Sequence, residues 1–194
     1  MTTEILVVCH ANIGRSPMAA VLLEQRLRAR GVADLLVGSA GVLRDGDTAS
    51  PHSVSTMHRR GLDLATHRSR RLQPAFVADA DLVVGMEREQ VREAILCAPE
   101  AWSRCFTLKE LVRRGEAVGP RPAGASLTTW IARVHEGRNR RDLLGASPLD
   151  DLTDPTGGTL AEHEDTAREL EDLLEQLVNL AWPHARPAEP PSAP

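Results

Sequence analysis

Cys9 and Arg15 stand six positions apart in the run Cys9-His10-Ala11-Asn12-Ile13-Gly14-Arg15-Ser16-Pro17. A thiol in the positive field of a helix N-terminus and a neighbouring guanidinium ionises more readily than a free one and becomes a nucleophile. A guanidinium is a planar fork suited to the oxygens of a phosphate. Cys9 could therefore attack phosphorus while Arg15 and the amides of His10, Ala11, Asn12, Ile13 and Gly14 hold the equatorial oxygens. Ser16 can donate to the sulfur or cap the helix. Asn12, in mid-loop, tolerates positive φ and can brace the turn. By type alone Cys9 could also be a small buried residue closing a strand. Departure of an alkoxide or phenolate needs an acid, and the acidic turn Asp150-Asp151-Leu152-Thr153-Asp154-Pro155 offers three.

Such a loop needs a strand before it and a helix after it. The β-branched run Ile5-Leu6-Val7-Val8 predicts the strand, and Met18, Val21, Leu22 and Leu27 predict one face of a helix ending near Gly31. Leu35 to Val42 reads as a second strand ending in the small residues Gly38, Ser39, Ala40 and Gly41, which would let a neighbouring loop approach closely. A short helix is expected from Ser53 to Gly61, a third strand from Ala80 to Met86, a helix from Glu87 to Ala98 and a fourth strand from Cys105 to Leu108. Gly and Pro between Arg113 and Ser126 predict a loop, followed by a helix from Thr128 to Leu144 with Trp130, Ile131 and Val134 inward and Arg133, Arg138, Arg140 and Arg141 exposed. Leu160 to Ala181 reads as a long amphipathic helix over one sheet face, and the Pro/Ala-rich residues 183–194 as a disordered tail.

Strands separated by helices imply parallel pairing through right-handed crossovers. The expected fold is α/β: a single three-layer domain over residues 1–182, with a four-stranded parallel sheet, helices on both faces and the phosphate-binding loop after strand 1. Ligands bind at the carboxyl ends of such strands, where Cys9 falls.

A chain of 194 residues, 42% hydrophobic, suffices for one buried core. Its formal net charge of −4 argues against general nucleic-acid binding. No leader-like segment is present, and no apolar run nears the ~18 residues of a membrane helix, so the expectation is a cytoplasmic protein without a membrane partner. Three scattered cysteines make neither a disulfide framework nor a zinc site. Thiolate attack on phosphorus needs no metal or cofactor, and none is expected.

The Cys9 to Pro17 loop resembles the signature loop of the low-molecular-weight protein tyrosine phosphatases, and Asp154-Pro155 resembles that family's general-acid loop. The resemblance runs from about Ile5 to Ala181, with residues 113–149 standing as an insertion before the acid loop. It implies hydrolysis of phosphate monoesters on phosphotyrosine proteins through a phosphocysteine. Cys9 would be the nucleophile, Arg15 the phosphate clamp and Asp154 the acid and later base, since only Asp154 among the three acids precedes proline. It also implies that Ser39 and His67 join the hydrogen bonds bracing the loop, and that inorganic phosphate or another oxyanion binds as product or inhibitor. Gly14 stands where many members have a second cysteine, so oxidised Cys9 would lack an adjacent resolving thiol. Ala11 replaces a frequent glycine. Thr156 stands where members often have a tyrosine walling the substrate ring, a wall that Trp130 could supply instead.

Thioredoxin-coupled arsenate reductases resemble the same fold and would use Cys9 with Cys97 and Cys105, although their redox cysteines begin nearer the third strand, where this chain has Met86 and Glu87. Arginine-phosphate phosphatases carry a threonine at the position of Ile13, and the bulkier aliphatic favours an aryl phosphate. A phosphate-binding module with weak or no turnover is the non-enzymatic alternative.

Overall fold

The computed structural model describes residues 2–183 except Ala33 and Arg44, so all of the expected tail but Pro183 lies outside the described residues. Its strands are β1 (Thr3–Cys9), β2 (Leu35–Gly41), β3 (Leu82–Gly85) and β4 (Cys105–Thr107). Its α-helices are α1 (Arg15–Ala29), α2 (Pro51–His58), α3 (Pro74–Asp79), α4 (Arg88–Cys97), α5 (Leu108–Val118), α6 (Leu127–His135) and α7 (Leu160–Ala181). The strands form one parallel sheet in the order β2-β1-β3-β4. Chain order reverses on either side of β1, so the loop leaving Cys9 opens into the crevice between β2 and β3.

Alternation along β1 sorts its side chains between two cores. Ile5, Val7 and Cys9 pack with α1, α5, α6 and α7, whereas Leu6 and Val8 pack with α3, α4 and the 3₁₀ turn Pro99–Arg104. Helices therefore cover both sheet faces, as the spacing of strands and helices predicts.

Several local expectations fail, and the helix α3 was not among those expected. Residues 113–118 continue α5 rather than opening a loop, because Thr107 caps that helix through Glu110 N–H at 3.1 Å and Leu108, Leu111 and Val112 are buried. Gly115 is there for close packing: a Cβ would lie 3.0 Å from the Trp130 ring. The helix stops at Gly119, whose φ of +86° suits glycine.

The helix expected over 128–144 ends at His135, Gly137 turns the chain with φ +73°, and a 3₁₀ turn follows over Arg140–Leu143. The cause is Arg138, which is not exposed as its place on a charged face suggests. Its guanidinium lies 3.9 Å from the ring centroids of both Trp102 and Phe106 and donates to Glu110 at 2.7 and 2.9 Å. It also donates to the Cys105 carbonyl at 2.8 Å. Cation–π contact and a paired carboxylate outweigh continued helix here. The second helix also starts earlier than expected, at Pro51, because Ser50 caps it and proline is favoured in a first turn.

Candidate active site

The loop between Cys9 and Arg15 is braced through one side chain. Asn12 is fully buried at φ +56°, a conformation asparagine tolerates better than most residues. Its Nδ2 donates to Ser16 Oγ and Ser39 Oγ, both at 2.9 Å, and its Oδ1 accepts from Arg70 N–H at 3.0 Å. Its backbone carbonyl accepts from His67 Nε2 at 2.7 Å, which places the proton of that tie on Nε2. Ser39, His67, Asn12 and Ser16 thus stand in one network.

Gly41 allows the approach. A Cβ there would lie 2.8 Å from both Ala11 C and Asn12 N and 2.9 Å from Asn12 Cβ, so a methyl group would displace the loop backbone. Gly41→Ala is expected to destabilise the protein by roughly 1–3 kcal/mol through overpacking and to raise the inhibition constant of inorganic phosphate. Urea unfolding and competitive inhibition check this, and unchanged values in both would refute the close approach.

Cys9 is 3% exposed, and its sulfur accepts from Ser16 Oγ at 3.0 Å and Asn12 N–H at 3.3 Å. Two donors aimed at one sulfur suit a thiolate, which only accepts. Among the described residues no protein acceptor takes the N–H groups of Ala11, Ile13 or Gly14. Unpaired amides clustered beside a helix start form a concave anion site. His10 is exposed and Ile13 half-buried, their carbonyls tied to Val42 N–H at 2.8 Å and Ser50 N–H at 2.8 Å.

Arg15 is 1% exposed, and burying its charge requires partners. Nη1 donates to Glu87 Oε1 and to the Leu152 carbonyl at 2.6 Å, and Nη2 donates to Asp154 Oδ2 at 2.6 Å. Buried Nε has no acceptor among the described residues. Nε–H and an Nη2–H share one edge of the fork, so that edge can take two oxygens of a tetrahedral anion. A buried donor without an acceptor costs about 1–3 kcal/mol, which an oxyanion on that edge would offset.

Asp154 is brought to the same guanidinium, and its Oδ1 accepts from Thr156 N–H at 3.0 Å. Thr156 Oγ1 and Ser53 Oγ border Gly14 at 3.9 and 3.7 Å from where a Cβ would stand. Asp150 and Asp151 are engaged elsewhere, with Arg88, Arg113 and the backbone. Glu87 is the member the sequence reading missed. It holds Arg15 and is itself held by Gln90 Nε2 at 3.0 Å. Its only sequence signal is an acidic residue just past the carboxyl end of β3.

Trp130 does not wall the site. It is fully buried, with Nε1 donating to the Gly119 carbonyl at 2.9 Å. Cys97 ends α4 half-buried, and Cys105 is buried in β4, where desolvation pushes its thiol up to about 12. A thiol so placed is not a nucleophile at neutral pH, so the arsenate-reductase alternative is not favoured. Among the described residues no group of three or more His, Cys, Asp or Glu could hold a metal.

Residues 4–119 match the family described as low molecular weight phosphotyrosine protein phosphatase. A relative from Ralstonia nicotianae, named probable low molecular weight protein-tyrosine-phosphatase EpsP, is 36% identical over 57% of this chain and 74% of its own. A protein-arginine-phosphatase from Geobacillus stearothermophilus is 30% identical over 92% of this chain and 95% of its own. The solution structure of a low molecular weight protein tyrosine phosphatase from Bacillus subtilis superposes with a TM-score of 0.70 at 26% identity, covering 95% of this chain and all of that one. With a parallel sheet in the order β2-β1-β3-β4, a Cys-to-Arg loop at its switch point and this match, the chain belongs to the low molecular weight phosphotyrosine protein phosphatase family of hydrolases.

Proposed function

We propose that this chain hydrolyses phosphotyrosine in proteins through a phosphocysteine, with Cys9 as nucleophile, Arg15 as phosphate clamp and Asp154 as general acid and base. The observation that carries the reading is the buried, unpaired Nε–H of Arg15 beside a loop whose thiol accepts two hydrogen bonds. The Cys9 sulfur attacks phosphorus, the bond to the ester oxygen breaks, and that oxygen takes its proton from Asp154. A phosphate on Arg15 competes with Asp154 for the guanidinium and so frees the carboxyl to turn toward the ester oxygen. Asp154, now a carboxylate, then takes a proton from the water that displaces the sulfur and releases inorganic phosphate. Ser16 and Asn12 N–H stabilise the sulfur as it attacks and leaves, while Ser39 and His67 hold Asn12. None of these steps needs a metal.

Residues 113–149, with the end of α5, α6 and the 3₁₀ turn, stand in this reading as an addition to the domain of residues 1–182. Three free cysteines and the absence, among the described residues, of a helix able to cross a membrane fit a cytoplasmic workplace.

The test is hydrolysis of p-nitrophenyl phosphate between about pH 5 and 8 without added metal, the range in which carboxylate and thiolate roles separate. Asp154→Ala should lower kcat roughly 10²- to 10⁴-fold. An unchanged rate would remove Asp154 from the chemistry.

A second substrate, phosphoarginine, is favoured by the arginine phosphatase that matches nearly the whole chain. Ile13 is half-buried at the loop, and its aliphatic chain offers an aryl ring an apolar contact. Phosphotyrosine and phosphoarginine forms of one peptide, compared by kcat/KM, decide between them, and a preference for the second would overturn the tyrosine assignment.

A further inference from the structure

The candidate acid sits on an exposed stretch whose own ties are few. Asp154 is held by Arg15 and by Thr156 N–H. The residues before it are fastened one after another. Leu152, 1% exposed, donates its N–H to the Met86 carbonyl at 2.8 Å, just past the end of β3, and its carbonyl accepts from Arg15. Asp151 accepts the N–H groups of Arg88 at 2.7 Å and Ser147 at 2.6 Å, and its carbonyl accepts from Lys109 Nζ at 2.9 Å. Lys109, the chain's single lysine, pairs in turn with Glu169 of α7 at 2.8 Å.

Asp150 is the most committed of these residues. It is 4% exposed, and its two oxygens take arginines from different helices. Oδ2 accepts from Arg88 Nε at 2.9 Å and Nη2 at 2.7 Å, and Oδ1 accepts from Arg113 Nη1 at 2.7 Å. Arg88 opens α4 directly after Glu87, the carboxylate that holds Arg15. A carboxylate buried in this way binds both helices to the loop only while it is charged and doubly paired.

We propose that Asp150, clamped by Arg88 and Arg113, is a positioning residue that sets the place of Asp154 over the phosphate loop, a role resting on the reading of Asp154 as general acid. Its function is geometric. A loop displaced by about an ångström costs an acid much of its effect while the nucleophile stays in place.

That division gives the test. Protonation of the leaving oxygen matters more for a poor leaving group, so kcat/KM is measured for phenyl phosphate and p-nitrophenyl phosphate. Both report the step that forms the phosphocysteine. Asp150→Asn should lower kcat/KM for phenyl phosphate about tenfold more than for p-nitrophenyl phosphate, and in an Asp154→Asn background it should add little, as coupled residues do. Arg113→Met, at a half-exposed side chain of α5, removes one arm of the clamp and should show the same pattern more weakly. Asp150 is merely structural, and the proposal wrong, if both esters lose equally, if the losses multiply with Asp154→Asn, or if Arg113→Met changes neither ester. If Asp154→Asn itself shows no dependence on the leaving group, the reading of Asp154 fails first and the proposal with it.

Discussion

Cys9→Ser lowers kcat for p-nitrophenyl phosphate by at least about 10⁴-fold, the scale seen when a covalent nucleophile is removed. The hydroxyl fits where the thiol stood, and Ser16 Oγ and Asn12 N–H can bond it as they bond sulfur. It fails because a serine hydroxyl is far harder to ionise than a thiol and is here given no base. The loop amides and Arg15 are untouched, so the variant should still bind inorganic phosphate, and a phosphorylated peptide should bind without turnover. Isothermal titration with that peptide and a continuous nitrophenolate assay read the two quantities separately. Retained turnover would return Cys9 to the role of a small core residue, and a wild type that binds the peptide but never turns over would favour the binding-module alternative.

Arg15→Lys carries the second large effect. Lysine keeps the charge but offers one ammonium in place of a planar fork. The guanidinium reaches Glu87, the Leu152 carbonyl and Asp154 together and still keeps an Nε–H edge. No ammonium can serve these acceptors and also hold two phosphate oxygens. The expected loss in kcat/KM is about 10³- to 10⁵-fold, the size associated with an arginine that stabilises a transferring phosphoryl group. Stability should fall too, by roughly 1–3 kcal/mol, because a buried partner is left poorly bonded. The two consequences are separable by assaying well below the melting temperature. If the folded variant then keeps wild-type kcat/KM, Arg15 serves the fold and not the phosphate.

Much of the candidate site was legible because its parts are contiguous. Cys9 to Ser16 follows a buried strand and opens a helix, so one stretch of backbone carries the thiol, the amides and the guanidinium. Asn12 was readable from its type and place, since few side chains accept positive φ at mid-loop. The small residues ending β2 were readable for a similar reason, and a Cβ on Gly41 would lie 2.8 Å from the loop backbone. Parallel strands are buried on both faces and so stand out as apolar runs.

What was not legible depends on residues far apart in the chain. Nothing near Glu87 says that it will meet Arg15, because that pairing exists only once β3 lies beside β1. Arg138 has the sequence setting of a solvated arginine, and only the arrival of Trp102, Phe106 and Glu110 makes a buried place for it. Gly115 signalled a loop by its type and serves instead as the floor for Trp130. The proline after it marks Asp154 in the sequence, but only the fold shows that Asp150 and Asp151 are tied to Arg88, Arg113 and the backbone instead. The sequence by itself determined the order of the strands and the residue types of the loop, since local backbone preference and apolar period act over a few residues. The tertiary structure alone decided which charges are buried together, because desolvation and pairing act between groups that only the folded sheet brings within reach.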